Sequence, residues 1–258
     1  LAPRAARLGG QARFFKMTAL EKYNNSVEAK DSLVCVGLDS DIKKIPEPYA
    51  KLEHPQFEFN KAIIEKTHDL VGAYKLNIAF YEARGDAGLR ELKMTTEYLQ
   101  KAHPDIFLIC DAKRGDIGST NEGYVTELFD WFGFDAVTLH PYLGREALLP
   151  FLERREKACI ILCRTSNPGA GEFQDLEIEG KPLWRVVAEK VKNEWNKRGN
   201  CMLVVGATYP EEMKTIRAIV GDMAFLVPGV GAQGANLEAA VNAGLNSERK
   251  GMIIHSAR

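Results

Sequence analysis

The chain has 258 residues, 45% hydrophobic and 27% charged, with 34 Lys and Arg against 35 Asp and Glu for a formal charge of −1. That balance excludes a disordered or collagen-like chain and offers no electrostatic handle for nucleic acid or an anionic membrane. No apolar run approaches the ~20 residues of a membrane-spanning helix.

Residues 1–16 carry Arg4, Arg7, Arg13 and Lys16 and no acid. They are set aside as a non-native or disordered leader, with the native start placed at Met17 and the globular domain at 17–258. Apolar, β-branched runs then mark strands at Leu33–Asp39, Ala73–Asn77, Ile106–Lys113 and Ala136–Leu139, and again at Ala158–Arg164, Cys201–Ala207, Ala224–Val230 and Gly251–Ala257. Between them lie stretches with helical spacing. Phe57–Val71 sets Phe59, Ile63, Ile64, Leu70 and Val71 on one face, and Trp184–Trp195 does so with Val187, Ala188, Val191 and Trp195. Strand and helix repeated in this way predict an α/β fold, a single-domain (β/α)8 or TIM barrel, with a doubly wound open sheet as the alternative. The chain ends on its last strand-like run, so the last helix of such a barrel is absent from this chain.

Cys35, Cys110, Cys159, Cys163 and Cys201 all fall in strand runs. An odd number without ligand spacing predicts buried thiols in a reducing, cytoplasmic compartment, not disulfides or a zinc site.

Polar residues collect at the C-terminal ends of the strands, the end that carries the active site in a barrel. They are Asp39; Lys75 and Asn77; Asp111, Lys113, Arg114 and Asp116; Arg164, Thr165, Ser166 and Asn167; the loop Pro228–Gly234; and Ser256 and Arg258. Residues i and i+2 of a strand share a face. Phe107, Ile109, Asp111 and Lys113 therefore share one, as do Cys35, Gly37 and Asp39, and Lys75 with Asn77. Two lysines and up to three aspartates then meet at the barrel mouth, as a catalytic charge array or as an ion-pair network closing the barrel. Tyr74 has the opposite parity and packs against helices. Ser119-Thr120-Asn121-Glu122 reads as a capping box that starts a helix near Ser119 and leaves Asp116 on a loop, free to face away from its own barrel. The glycine-rich Pro228–Gly234, with Gly229, Gly231 and Gly234, suits phosphate, and Arg258 lies where it can pair with that anion. His140-Pro141-Tyr142 is expected beside the pocket, and His54, His68 and His103 at the surface.

Asp111-Ala112-Lys113-Arg114-Gly115-Asp116-Ile117 resembles the D-x-K-x-x-D-I motif of orotidine 5′-phosphate decarboxylases. With Val36-Gly37-Leu38-Asp39, Lys75-Leu76-Asn77, Arg164-Thr165-Ser166-Asn167-Pro168 and Pro228-Gly229-Val230-Gly231-Ala232-Gln233, the pattern from Leu20 to Arg258 is similar to the type 2 subfamily. The resemblance implies cofactor-independent decarboxylation of orotidine 5′-phosphate to UMP, the last step of de novo pyrimidine synthesis, with neither metal nor organic cofactor. It implies a charged tetrad of Lys75, Asp111, Lys113 and Asp116, in a homodimer whose Asp116, Ile117 and Thr120 serve the other subunit's site. Asp39 and Asn77 would contact the ribose side, and Ser166 with Thr165 the pyrimidine. Gln233 would bridge base and phosphate, Pro228 and Gly231 belong to the same loop, and Arg258 would hold the phosphate. A metal-dependent sugar-phosphate decarboxylase or aldolase of a related barrel family shares only the strand 3 motif. A non-catalytic phosphoribosyl-ligand binding protein needs no such charge array.

Overall fold

Eight parallel strands close on themselves in sequential order: β1 (Val34–Gly37), β2 (Ala73–Asn77), β3 (Phe107–Arg114), β4 (Ala136–Leu139), β5 (Ala158–Arg164), β6 (Cys201–Val205), β7 (Phe225–Val227) and β8 (Met252–Ser256), with β8 pairing back to β1. The computed structural model describes residues 17–230 and 236–257. The leader 1–16 and the site candidates Gly231, Gln233 and Arg258 lie outside the described residues.

A helix leads into the barrel and others follow the strands: α1 (Ala19–Lys30), α2 (Pro55–Thr67), α3 (Gly85–Ala102), α4 (Gly118–Val125), α5 (Gly144–Leu152), α6 (Leu183–Lys190), α7 (Pro210–Val220) and α8 (Leu237–Gly244). The closed barrel bears out the predicted architecture over the open sheet. Among the described residues no helix is long and apolar enough to cross a membrane.

Strand alternation sorts the core into two layers. Cys35, Ala73, Phe107, Ile109, Ala136, Ile160, Met202, Leu226 and Ile253 fill the lumen, while Tyr74, Leu76, Leu108, Cys110, Val137, Ile161 and Leu203 pack outward against the helices. Small residues alternate with large ones because eight strands leave only enough interior to be filled by side chains. All five cysteines are buried and free. Helix α1, which stops the N-terminal end of the lumen, is not among the expected elements, although its sequence carries a start signal. Thr18 and Glu21 form its capping box, and Tyr23 donates from its hydroxyl to the Met252 carbonyl at 2.8 Å. Also unforeseen is a small hairpin, Glu177–Ile178 with Lys181–Pro182, between β5 and α6.

Several local expectations are corrected. The helix expected over 57–71 runs from Pro55 to Thr67, and its buried face is Gln56, Asn60 and Ile64, with Leu70 exposed. Gln56 and Asn60 are inside because they have partners there. Gln56 Nε2 donates to the Ser40 carbonyl at 2.6 Å, and Asn60 Nδ2 to the Tyr81 hydroxyl at 2.8 Å. The capping box at Ser119 does not form. Helix α4 begins at Gly118 behind an N-cap Ile117 that has no side-chain cap bond. The Asn121 amide takes over, accepting from Asp116 N at 3.0 Å and donating to the Asp116 and Ala147 carbonyls. His68 and His103 are not free surface residues; their rings stack 4.3 Å apart.

Candidate active site

At the C-terminal end of the barrel a cavity of about 490 Å³ opens between the strand ends. Its charged floor is built from three adjacent strands. Lys75, reaching in from β2, is almost wholly buried. Its Nζ lies 3.0 Å from Asp111 Oδ2 and 3.4 Å from both Asp39 oxygens. Lys113 Nζ lies 2.6 Å from Asp111 Oδ1. Asp39 also accepts from the Asn77 backbone N–H at 2.8 Å, so the end of β2 orients the acid from β1.

Burial by itself favours the uncharged form of each of these groups. In Asp111 that upward push is outweighed by the ammonium groups of Lys75 and Lys113, which hold its carboxyl well below the usual carboxylate range. In Lys75 the desolvation that lowers its pKa is outweighed by Asp111 and Asp39, and the net direction is upward. Asp111 is thereby held as a carboxylate and Lys75 as an ammonium, in an array that sets two lysines against two aspartates within one protomer.

Simple alternation does not deliver Lys113 to this array. The β3–β4 ladder runs in register to Cys110↔Val137 and resumes at Arg114↔Leu139. Asp111, Ala112 and Lys113 therefore oppose Thr138 alone, a bulge that frees the end of β3. Lys113 sits there in the left-handed region with φ 45°. For a residue with a side chain that costs about 1–2 kcal/mol, so the surroundings must hold it. Next to it, Gly115 is required by close approach: a Cβ there would lie 2.8 Å from His140.

Of the residues singled out by sequence, Asp39, Lys75, Asp111, Lys113, Thr165, Ser166, Asn167, Pro228 and Gly229 line the cavity. Asn77 does not line the cavity; its side-chain carbonyl accepts from Ala79 N at 3.2 Å. Asp116, Ile117 and Thr120 are exposed and do not line their own protomer's cavity. Arg164 is a correction. It is buried on the far side of β5, with its guanidinium 2.8 Å from Asp175 and stacked 3.9 Å from the Tyr209 ring centre. Arg114 likewise pairs with Glu82 and covers the Tyr124 ring. Ser256 and His140 do not line the cavity, and Tyr142 is 83% exposed.

Lining residues missed by the sequence reading include Thr138, Gln174 and His255. Gln174 closes the loop after β5, accepting from Thr165 N at 2.9 Å and donating to Thr165 Oγ1 at 2.8 Å. His255 carries a buried Nε2 with no hydrogen-bond partner in the structure. It fits because residue 37 is glycine; a Cβ there would lie 2.7 Å from that nitrogen. Burial, then the positive charge of Lys75, pushes the imidazole down to about 3, with Lys113 acting the same way and Asp111 against.

That shift has a consequence for stability. Between pH 6.5 and 3 the unfolded chain binds a proton at His255 that the folded chain does not. The stabilisation is complete above pH 6.5 and is lost as pH falls, by up to about 1.4 kcal/mol per pH unit. Denaturant midpoints measured from pH 7 to pH 4 should therefore fall more steeply for the wild type than for His255→Asn. Parallel slopes would show that His255 titrates normally.

A closed (β/α)8 barrel whose strand ends converge two lysines and two carboxylates in one cavity defines a barrel enzyme with a preorganised charge array. Comparison with known proteins narrows this class. The chain belongs to the orotidine 5′-phosphate decarboxylase / HUMPS family, whose profile matches residues 32–257. It is 49% identical over 244 residues to the orotidine 5′-phosphate decarboxylase of Cellvibrio japonicus, covering 94% of this chain and 89% of the relative. The OMP decarboxylase structure from Leishmania donovani superposes with TM-score 0.84 at 37% identity, over 94% of this chain and 90% of that one. The UMP synthase structure from the same organism gives TM-score 0.86 at 38% identity; 94% of this chain is covered, and the match spans about half, 52%, of that longer chain.

Proposed function

We propose that the chain decarboxylates orotidine 5′-phosphate to UMP, completing pyrimidine nucleotide synthesis. The observation that carries this reading is the Lys75–Asp111–Lys113 array in the barrel cavity of a chain of this family. The reaction breaks the bond from C6 to the carboxylate and leaves the electron pair on C6. No neighbouring carbonyl delocalises that pair, so the protein must supply a field and a proton. Lys113 does both: its ammonium faces the carbanion and then protonates it. Asp111 lies against the substrate carboxylate, and departure of CO2 removes a like charge from its side. The interaction therefore favours the transition state over bound substrate. Lys75 keeps Asp111 ionised and holds Asp39 in place.

Around this centre Asp39 and Asn77 take the ribose side, and Ser166 with Thr165 the pyrimidine. Pro228 belongs to the loop that meets phosphate. Gly231, Gln233 and Arg258 complete that assignment from the sequence pattern. The enzyme works as a homodimer in which Asp116, Ile117 and Thr120 enter the partner's cavity. Supporting this, Asp116 and Thr120 are exposed outside their own cavity, and the apolar Ile117 is 61% exposed. Tyr142 and Leu143 are exposed just ahead of α5, which α4 packs against through Asn121. A cytoplasmic location is supported by the buried free cysteines.

Loss of the orotate chromophore on incubation with orotidine 5′-phosphate, with UMP as product, tests the assignment. Unchanged absorbance would overturn it. The carboxylates of the array are engaged by lysines, and among the described residues no group of three or more His, Cys, Asp or Glu is arranged to hold a metal ion. Turnover is expected to be unchanged after dialysis against EDTA. Activity that vanished on dialysis and returned with Mg²⁺ would move the assignment to the metal-dependent sugar-phosphate decarboxylases or aldolases of a related barrel family.

A further inference from the structure

Thr138 occupies the one place on β4 that faces the three bulged residues of β3. Its hydroxyl accepts from the Lys113 backbone N–H at 2.9 Å and stands 2.9 Å from Asp111 Oδ1. Asp111 is ionised and can only accept, so the Thr138 proton points at the carboxylate. Lys113 Nζ reaches the same Oδ1 at 2.6 Å. A closed ring results: Lys113 N–H to Thr138 Oγ1, Thr138 O–H to Asp111 Oδ1, and Lys113 Nζ–H back to Asp111 Oδ1.

The ring answers two demands of the bulge. The broken ladder leaves the Lys113 N–H without a strand carbonyl, and a backbone donor at a partly buried position needs an acceptor. Lys113 is also held at φ 45° with a half-exposed side chain, an arrangement its own preferences do not secure. Lys75 fixes only Oδ2 of Asp111, at 3.0 Å. The direction of Oδ1, and the path of the Lys113 backbone over it, depend on Thr138.

We propose that Thr138 is a positioning residue for the decarboxylation: its hydroxyl sets the separation and orientation of Asp111 and Lys113. This rests on the decarboxylase reading above. Thr138 acts on the carboxylate side of the site, so its loss should be felt in turnover and not in the binding of UMP, which has no carboxylate. A misplacement near 1 Å at a reacting centre lowers rate by roughly 10²-fold.

The test compares Thr138→Val, which keeps the branched shape and removes the oxygen, with Thr138→Ser, which keeps the oxygen. The expected result is a fall in kcat of roughly 10²-fold for valine, with KM and the affinity for UMP little changed. Serine should recover activity to within a few-fold of the wild type. If the valine variant does not fold, Thr138→Ala replaces it in the same comparison with serine. The proposal is overturned if removing the oxygen leaves kcat intact, if serine is as impaired as valine, or if the loss lies in UMP affinity. A wild type that leaves orotidine 5′-phosphate untouched sinks the decarboxylase reading itself and the role of Thr138 with it; an active wild type with any of the three preceding results sinks only the role of Thr138.

Discussion

Lys113→Ala is expected to lower kcat by roughly 10⁴-fold or more, because one substitution removes both a general acid and a stabilising charge. Each contribution alone is commonly worth 10²-fold or more, and here they reside in the same ammonium group. The structure limits how far another residue can substitute. Lys75 is buried beneath the cavity and committed to Asp111 and Asp39, and His255 is neutral, with its pKa pushed down to about 3. Neither is a ready proton donor at C6. UMP affinity should change far less than kcat, since the product carries a hydrogen at C6 where the substrate carries a carboxylate. The measurement is the absorbance assay at saturating substrate, with UMP inhibition constants for both proteins. A loss below tenfold would mean that the proton comes from elsewhere, and the role given to Lys113 would have to be abandoned.

The fold was legible because a barrel repeats its signal. Each strand announces itself by an apolar run, and charged residues at the same end of many strands mark the mouth. Period-two alternation correctly turned Tyr74 outward and Lys75 inward, and the same rule applied to β8 points His255 into the lumen beside Ile253. What alternation could not show is the bulge. A strand that slips two residues against its neighbour looks the same in sequence as one that does not, so Thr138, inside the apolar run Ala136–Leu139, gave no sign of its hydroxyl's role. Arg164 misled for a related reason. Position at a strand end is a statement about height in the barrel, whereas the side chain's direction depends on register, and the β5–β6 ladder also shifts between Leu162 and Arg164. Helix α2 failed differently. Its buried face is polar because it holds the loop after β1 by hydrogen bonds, and hydrophobic periodicity has no means of detecting that.

Mixing inactive Lys113→Ala and Asp116→Ala proteins is expected to restore activity. Asp116 lies only five residues beyond Asp111 in sequence, yet β3 ends at Arg114 and the chain then turns away from the cavity. The Asn121 amide pins the Asp116 backbone at both its N–H and its carbonyl, and ties that loop to α5 through Ala147. A loop held so firmly with an exposed carboxylate is suited to enter a neighbouring site, and a twofold dimer makes the contribution reciprocal. Each homodimeric variant then lacks one required group in both sites. In a mixed dimer, one site collects both substitutions and the other collects neither. Random exchange of equal amounts makes about half of all dimers mixed, so about a quarter of all sites should be intact. The recovered rate, followed by the absorbance assay during subunit exchange, should rise to about that fraction of the wild type. Dimers tagged on each variant establish that exchange has occurred. If mixed dimers form and decarboxylation stays at the level of the separate variants, Asp116 acts within its own subunit or not at all, and the shared site is wrong.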